Sequence, residues 1–154
     1  MCLQWLDSID LAGRTVVDYG CGSGILGIAA LLLGAERVIA VDNDPQALVA
    51  TRDNLARNDI DEHRLSACAP EQLGQRHPDC QVDVLVANIL AGPLISLADT
   101  LTNLTLPGGK LCLSGITAGQ AMEVQSAYPA VNFAPPALRE EWVRLTGTRT
   151  ATRA

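Results

Sequence analysis

The segment Val16-Val17-Asp18-Tyr19-Gly20-Cys21-Gly22-Ser23-Gly24 constrains this 154-residue chain more than any other. An apolar run meets an acid, turns through three alternating glycines and enters a second apolar stretch. Glycines there let the backbone turn sharply and approach a ligand with no Cβ in the way. Such strand–turn–helix units belong to parallel α/β sheets, whose ligands lie beyond the carboxyl ends of the strands. The N–H groups of the helix start can receive an anion. One helix further on, Val41-Asp42-Asn43-Asp44 ends a second apolar strand on an acid, where a ribose diol would lie.

Two cofactors compete for this pattern. Gly22-Ser23-Gly24-Ile25-Leu26-Gly27 spells G-x-G-x-x-G, the dinucleotide signature, and makes an NAD-dependent oxidoreductase one reading. A dinucleotide brings a pyrophosphate, however, and Asp18 stands just before the turn. Like charges about 5 Å apart at an effective dielectric of about 20 repel by roughly 3 kcal/mol. S-adenosylmethionine (SAM) carries a sulfonium, an ammonium and no phosphate, and Asp18 attracts both cations. Counted from Gly20, directly after the strand, the pattern is G-x-G-x-G. Charge and frame favour SAM, with Asp18, Gly20, Gly22, Gly24 and Asp42 as the cofactor-binding residues.

Periodicity organises the rest. Leu3, Leu6 and Ile9 predict a helix over residues 2–9, the tail of an element begun upstream. Strands are expected over 15–19, 37–41, 64–68, 82–87 and 110–114. Helices are expected over 25–33, closed by Gly34, and from Asp44-Pro45 to about 58, with Leu48, Thr51 and Leu55 inward. Residues 70–81 read as a short helix and loop. One helix starts at Gly92-Pro93 with Leu94, Leu97, Ala98, Leu101 and Leu104 on one face, and another covers 118–128. Leu106-Pro107-Gly108-Gly109 is an expected turn. Residues 132–138 and 141–147 read as antiparallel strands joined at Arg139-Glu140, the first limited by Pro135-Pro136. This order predicts an α/β, Rossmann-like class I SAM-dependent methyltransferase fold: a seven-stranded, mostly parallel sheet with an antiparallel C-terminal hairpin. It fills one domain over residues 1–148, and 149–154 form a frayed tail.

Composition narrows the function classes. Hydrophobic residues make up 48% and aromatics only 3%, so the core is aliphatic. No apolar run reaches membrane-spanning length and no signal peptide is visible. The net charge is −6 and Lys110 is the only lysine, which argues against a nucleic-acid partner. Five cysteines without C-x-x-C spacing suggest free thiols in a reducing cytoplasm and no metal site.

Residues 17–26, Asp42-Asn43-Asp44-Pro45-Gln46-Ala47, Ala87-Asn88-Ile89-Leu90-Ala91-Gly92-Pro93-Leu94 and Leu113-Ser114-Gly115-Ile116 resemble the PrmA family, whose members methylate ribosomal protein L11. The likeness runs over about 2–147, and the N-I-L-A-G-P-L segment is its most discriminating part. It implies that Gly20 and Asp42 touch SAM, that Asp18 holds the methionine end directly or through water, and that Asn88 is both cofactor-binding and catalytic, where cofactor and acceptor amine meet. It implies a protein N-methyltransferase acting on lysine and α-amino groups of that ribosomal protein. A separate N-terminal domain that captures the substrate, and a cofactor-contacting threonine, are expected upstream of these residues. A methyltransferase for RNA or a small molecule is the alternative.

A lysine acceptor must be neutral to attack, and its reference pKa of about 10.4 makes that rare in water. Burial beside a sulfonium lowers it. The Asn88 side-chain carbonyl then accepts one amine hydrogen, with the Ile89 or Leu90 carbonyl accepting another. Many amine methyltransferases carry N-P-P-Y here; Asn88-Ile89-Leu90-Ala91 keeps the asparagine and loses the aromatic wall. Asn88 could instead cap the following helix. Asp44 reads as an N-cap, Glu71 as solvated surface, Cys21 as a small residue in the turn, and Trp5 and Trp142 as packing anchors.

Overall fold

The computed structural model describes residues 1–151. The fold is mixed α/β, with a mostly parallel sheet and antiparallel C-terminal strands. Two compact units divide the chain: Leu3–Cys80, and Met1–Cys2 with Gln81–Ala154.

In the first unit, helix α1 (Cys2–Asp7) precedes strand β1 (Thr15–Tyr19), helix α2 (Ile25–Leu32), β2 (Arg37–Val41), α3 (Pro45–Arg57), β3 (Leu65–Cys68) and α4 (Pro70–Arg76). The three strands pair in parallel with β2 between β1 and β3, and Tyr19, Val41 and Cys68 are in register at their carboxyl ends. Parallel strands covered on both faces run apolar throughout, and Val16, Val17, Val38, Ala40 and Val41 are all buried. Asp44 caps α3 as its sequence position predicts, its Oδ1 accepting from Gln46 N at 2.9 Å. Arg64 closes the far end of α2, donating to the Leu31 and Ala35 carbonyls at 3.3 and 2.7 Å.

In the second unit, β4 (Val82–Asn88) is followed by α5 (Ala91–Ser96), α6 (Ala98–Leu104), β5 (Thr105–Thr117), α7 (Ala121–Ser126), β6 (Val131–Phe133), β7 (Ala137–Arg139) and β8 (Trp142–Arg149). β4 and β5 are parallel; β8 runs antiparallel to β5, β6 and β7. Leu85, Leu94, Leu101, Leu111, Leu113, Ile116 and Leu145 form an aliphatic core. Each such side chain contributes about 1.5–3 kcal/mol by leaving water.

The chain departs from the sequence expectations at several places. Among the described residues eight strands form where seven were expected, because Pro135-Pro136 divides the segment 132–138 into β6 and β7. The expected turn at 106–109 is a bulge inside β5: Val82 pairs with Thr105 and Val84 with Lys110. Gly109 is required there, since a Cβ would lie 2.8 Å from the Leu106 carbonyl oxygen. The helix after Gly92-Pro93 starts one residue earlier and breaks at Leu97 into α5 and α6. The first residues of the expected tail, 149–154, are ordered by pairing: β8 runs to Arg149, and Thr150 N donates to Ala130 O at 2.8 Å. The rest of that expected tail, residues 152–154, lies outside the described residues. Trp5 is buried, but Trp142 is 45% exposed.

The aromatic anchor is Tyr128, fully buried, whose hydroxyl donates to the Leu94 carbonyl at 2.7 Å. Tyr128→Phe keeps the ring and removes this bond. It should lower the unfolding free energy by about 1 kcal/mol in urea, without changing the denaturant slope. Wild-type stability in this variant would show that the bond contributes nothing.

Candidate active site

β1 delivers Asp18 to a position that is only 1% exposed. Its Oδ2 accepts from Gly27 N at 2.9 Å, and its Oδ1 is buried with no partner. Gly27 is the third residue of α2, and the helix's own N-cap, Gly24, has no side chain to offer. The strand acid therefore caps the following helix from outside its sequence, against the positive end of the helix dipole. The absent side chain of Gly27 makes this possible, since a Cβ there would lie 2.9 Å from Val38 Cγ1 and 3.4 Å from Asp18 Oδ2. Burial pushes the Asp18 carboxyl up to about 7; the Gly27 N–H opposes this and the nearby Asp42 charge adds to it.

Three glycines carry the loop between β1 and α2 in left-handed backbone: Gly20 (φ 77), Gly22 (φ 54) and Gly24 (φ 83). The loop is tied down on every side. Gly20 N and Cys21 N both donate to Val41 O, at 2.7 and 3.0 Å. Asp42 receives Gly22 N on Oδ2 and Asp44 N on Oδ1, each at 2.9 Å. Each of its oxygens keeps a second lone pair for a ligand hydroxyl. From α3, Thr51 donates to Gly22 O at 3.1 Å and Asn54 to Ser23 O at 2.9 Å. Thr51 is fully buried under the loop, and a Cβ on Gly24 would strike it at 2.8 Å. The space a Cβ would take at Gly22 is open.

The electrostatic character follows. Two carboxylates line the turn, and Asp18 already occupies a free N–H of the helix start, the group a pyrophosphate would use. Cys21 adds no nucleophile, because burial pushes its thiol up to about 11. Glu71 is exposed on α4, as the sequence suggested.

In the second unit, Asn88 is the exposed last residue of β4, paired with Ser114 of β5. It does not cap the next helix: the N-cap of α5 is Leu90, with no side-chain cap. The Leu90 carbonyl accepts from Leu94 N at 3.1 Å, and the Ile89 carbonyl is turned onto Gly115.

Residues 1–150 match the family model of ribosomal protein L11 methyltransferase (PrmA). The chain belongs to the PrmA family. Ribosomal protein L11 methyltransferases of Pseudomonas aeruginosa and Cellvibrio japonicus are 59% and 56% identical over 98% and 97% of the chain. It spans about half the length of these curated relatives, 50% in each case. A solved ribosomal protein L11 methylase from Lactobacillus delbrueckii subsp. bulgaricus superposes with a TM-score of 0.87 at 29% identity, over 97% of this chain and 77% of that one.

Within this PrmA-family chain, Asp18, Gly20, Gly22, Gly24 and Asp42 converge on one loop of the first unit, while Asn88 belongs to the second. Asp18 is enclosed and holds the helix start through Gly27 N. Thr51, Asn54 and Gly27 were not read from the sequence as loop residues. The available signal was a threonine on an otherwise leucine-lined inward face of α3.

Asp18→Asn keeps an acceptor for Gly27 N–H and removes the ionisable group. A carboxyl raised from about 4 unfolded to about 7 folded costs the wild type stability as pH climbs from 4 to 7, by up to roughly 4 kcal/mol. The stability of Asp18→Asn relative to wild type should therefore grow across that window and level off above it. Denaturation at pH 4, 6 and 8 checks this; a pH-independent difference would contradict it.

Proposed function

We propose that residues 1–148 act as the catalytic domain of a SAM-dependent N-methyltransferase whose acceptor is an amine of ribosomal protein L11. The observation that carries the reading is the acid-lined glycine loop, in which a carboxylate already neutralises the start of α2. Such a loop suits a cation and repels a diphosphate. The remaining lone pairs of the Asp42 carboxylate and the open space at Gly22 fit a cationic nucleoside ligand. Family membership supports the same cofactor and substrate.

Gly20, Gly22 and Gly24 would bring bare backbone against the cofactor, and Asp42 would accept from its ribose. SAM, when bound, supplies a methyl group on a positively charged sulfur. Asn88 would hold the attacking amine by accepting one of its hydrogens, so that its lone pair is directed. The catalytic gain is proximity and orientation. Five free thiols support a reducing, cytoplasmic setting. No helix among the described residues is long and apolar enough to cross a membrane, and these residues hold no cluster fit for a metal ion. The greater length of the relatives supports capture of the ribosomal protein by a segment outside these 154 residues.

Transfer of labelled methyl from SAM to purified ribosomal protein L11, ribosomal RNA and free lysine tests the reading. Label should enter the protein; label in RNA alone would favour the runner-up. Asn88→Ala should leave the SAM dissociation constant within about threefold and lower kcat by about a hundredfold. Loss of cofactor binding together with turnover would contradict the acceptor role.

A further inference from the structure

Gly115 sits where β5 meets the segment that carries Asn88. The pairing of β5 with β8 slips between Leu113 and Ile116, leaving Ser114-Gly115 as a bulge. Gly115 is left-handed, with φ 86. Ser114 O accepts from Ile89 N at 3.1 Å, and Ser114 Oγ donates to Val143 O at 3.0 Å, which anchors the bulge to β8. A Cβ at Gly115 would lie 2.5 Å from the Ile89 carbonyl oxygen and 3.0 Å from both the Ile89 carbonyl carbon and nitrogen. Every one of these atoms is backbone, so no side-chain rotation relieves the clash. The residue following Asn88 thus lies directly on a bare α-carbon.

We propose that Gly115 is a positioning residue for methyl transfer: its missing side chain seats the Ile89 backbone and thereby fixes the Asn88 carboxamide that holds the acceptor. This rests on the acceptor role given to Asn88. It adds a requirement that the glycine loop after β1 does not share, because the acceptor group is set by β5 and its bulge.

Gly108 supplies the control. It lies on the same strand at φ 81, and a Cβ there meets nothing within 4 Å. Gly108→Ala and Gly115→Ala carry the same kind of backbone strain, and only the second pushes on Ile89. Gly115→Ala should lower kcat at least tenfold, hold the SAM dissociation constant within twofold, and move the Asn88 side-chain amide resonance in a 15N-asparagine spectrum. Gly108→Ala should leave kcat within twofold and that resonance in place. Ser114→Ala, which removes only the bond to Val143, is the milder variant should Gly115→Ala not fold. It should lower kcat about threefold and move the same resonance. Equal turnover in both glycine variants, an unmoved Asn88 resonance in Gly115→Ala, or wild-type kcat in Ser114→Ala would overturn the proposal. Full activity in Asn88→Ala would instead overturn the acceptor role itself.

Discussion

The bond from Gly27 N–H to the buried Asp18 carboxylate is the constraint on which the first unit depends. Asp18 is charged or protonated in a place almost without water, and only the helix start compensates it. That arrangement needs α2 to begin where it does, Gly27 to lack a side chain, and the chain between to turn within a few residues. The alternating glycines follow from this geometry. Each left-handed residue is held by a different neighbour: Val41 O at Gly20, Asp42 at Gly22, and Thr51 beneath Gly24.

The same bond sets the chemistry of the loop. A helix start of this kind ordinarily attracts phosphate. Here one of its donors is already satisfied by the Asp18 carboxyl, and a second acid sits on the glycine turn. Shape alone would suit a dinucleotide, as the G-x-G-x-x-G spelling shows; charge is what turns it toward a sulfonium nucleoside. The desolvated acid is thus a stability cost retained at the glycine loop.

Much of this was legible in the sequence. Apolar runs ending in Asp18, Asp42 and Asn88 marked the carboxyl ends of three strands, and β1, β2 and β4 form there. Asp44-Pro45 announced the start of α3, and Asp44 accepts from Gln46 N. What could not be read depends on distant partners. Thr51 looked like any inward position, and only the fold brings its hydroxyl to Gly22 O, 29 residues away in sequence. Nothing local says that Leu106-Pro107-Gly108-Gly109 will be carried as a bulge rather than a turn; that requires β4 to pair on both sides of it. The charge of Asp18 can be read from sequence, and its burial cannot.

The carboxyl ends of β4 and β5 show the same logic. Asn88 gains its place from its register with Ser114, and the peptide beyond it from a glycine on the neighbouring strand. The central claim is that carboxylates, having filled the anion sites of the glycine loop, leave it fit only for a cationic cofactor. Titration calorimetry of the protein with SAM and, separately, with NAD tests this most directly. The account predicts saturable binding of SAM and no measurable heat with NAD; saturable NAD binding with SAM silent would contradict it.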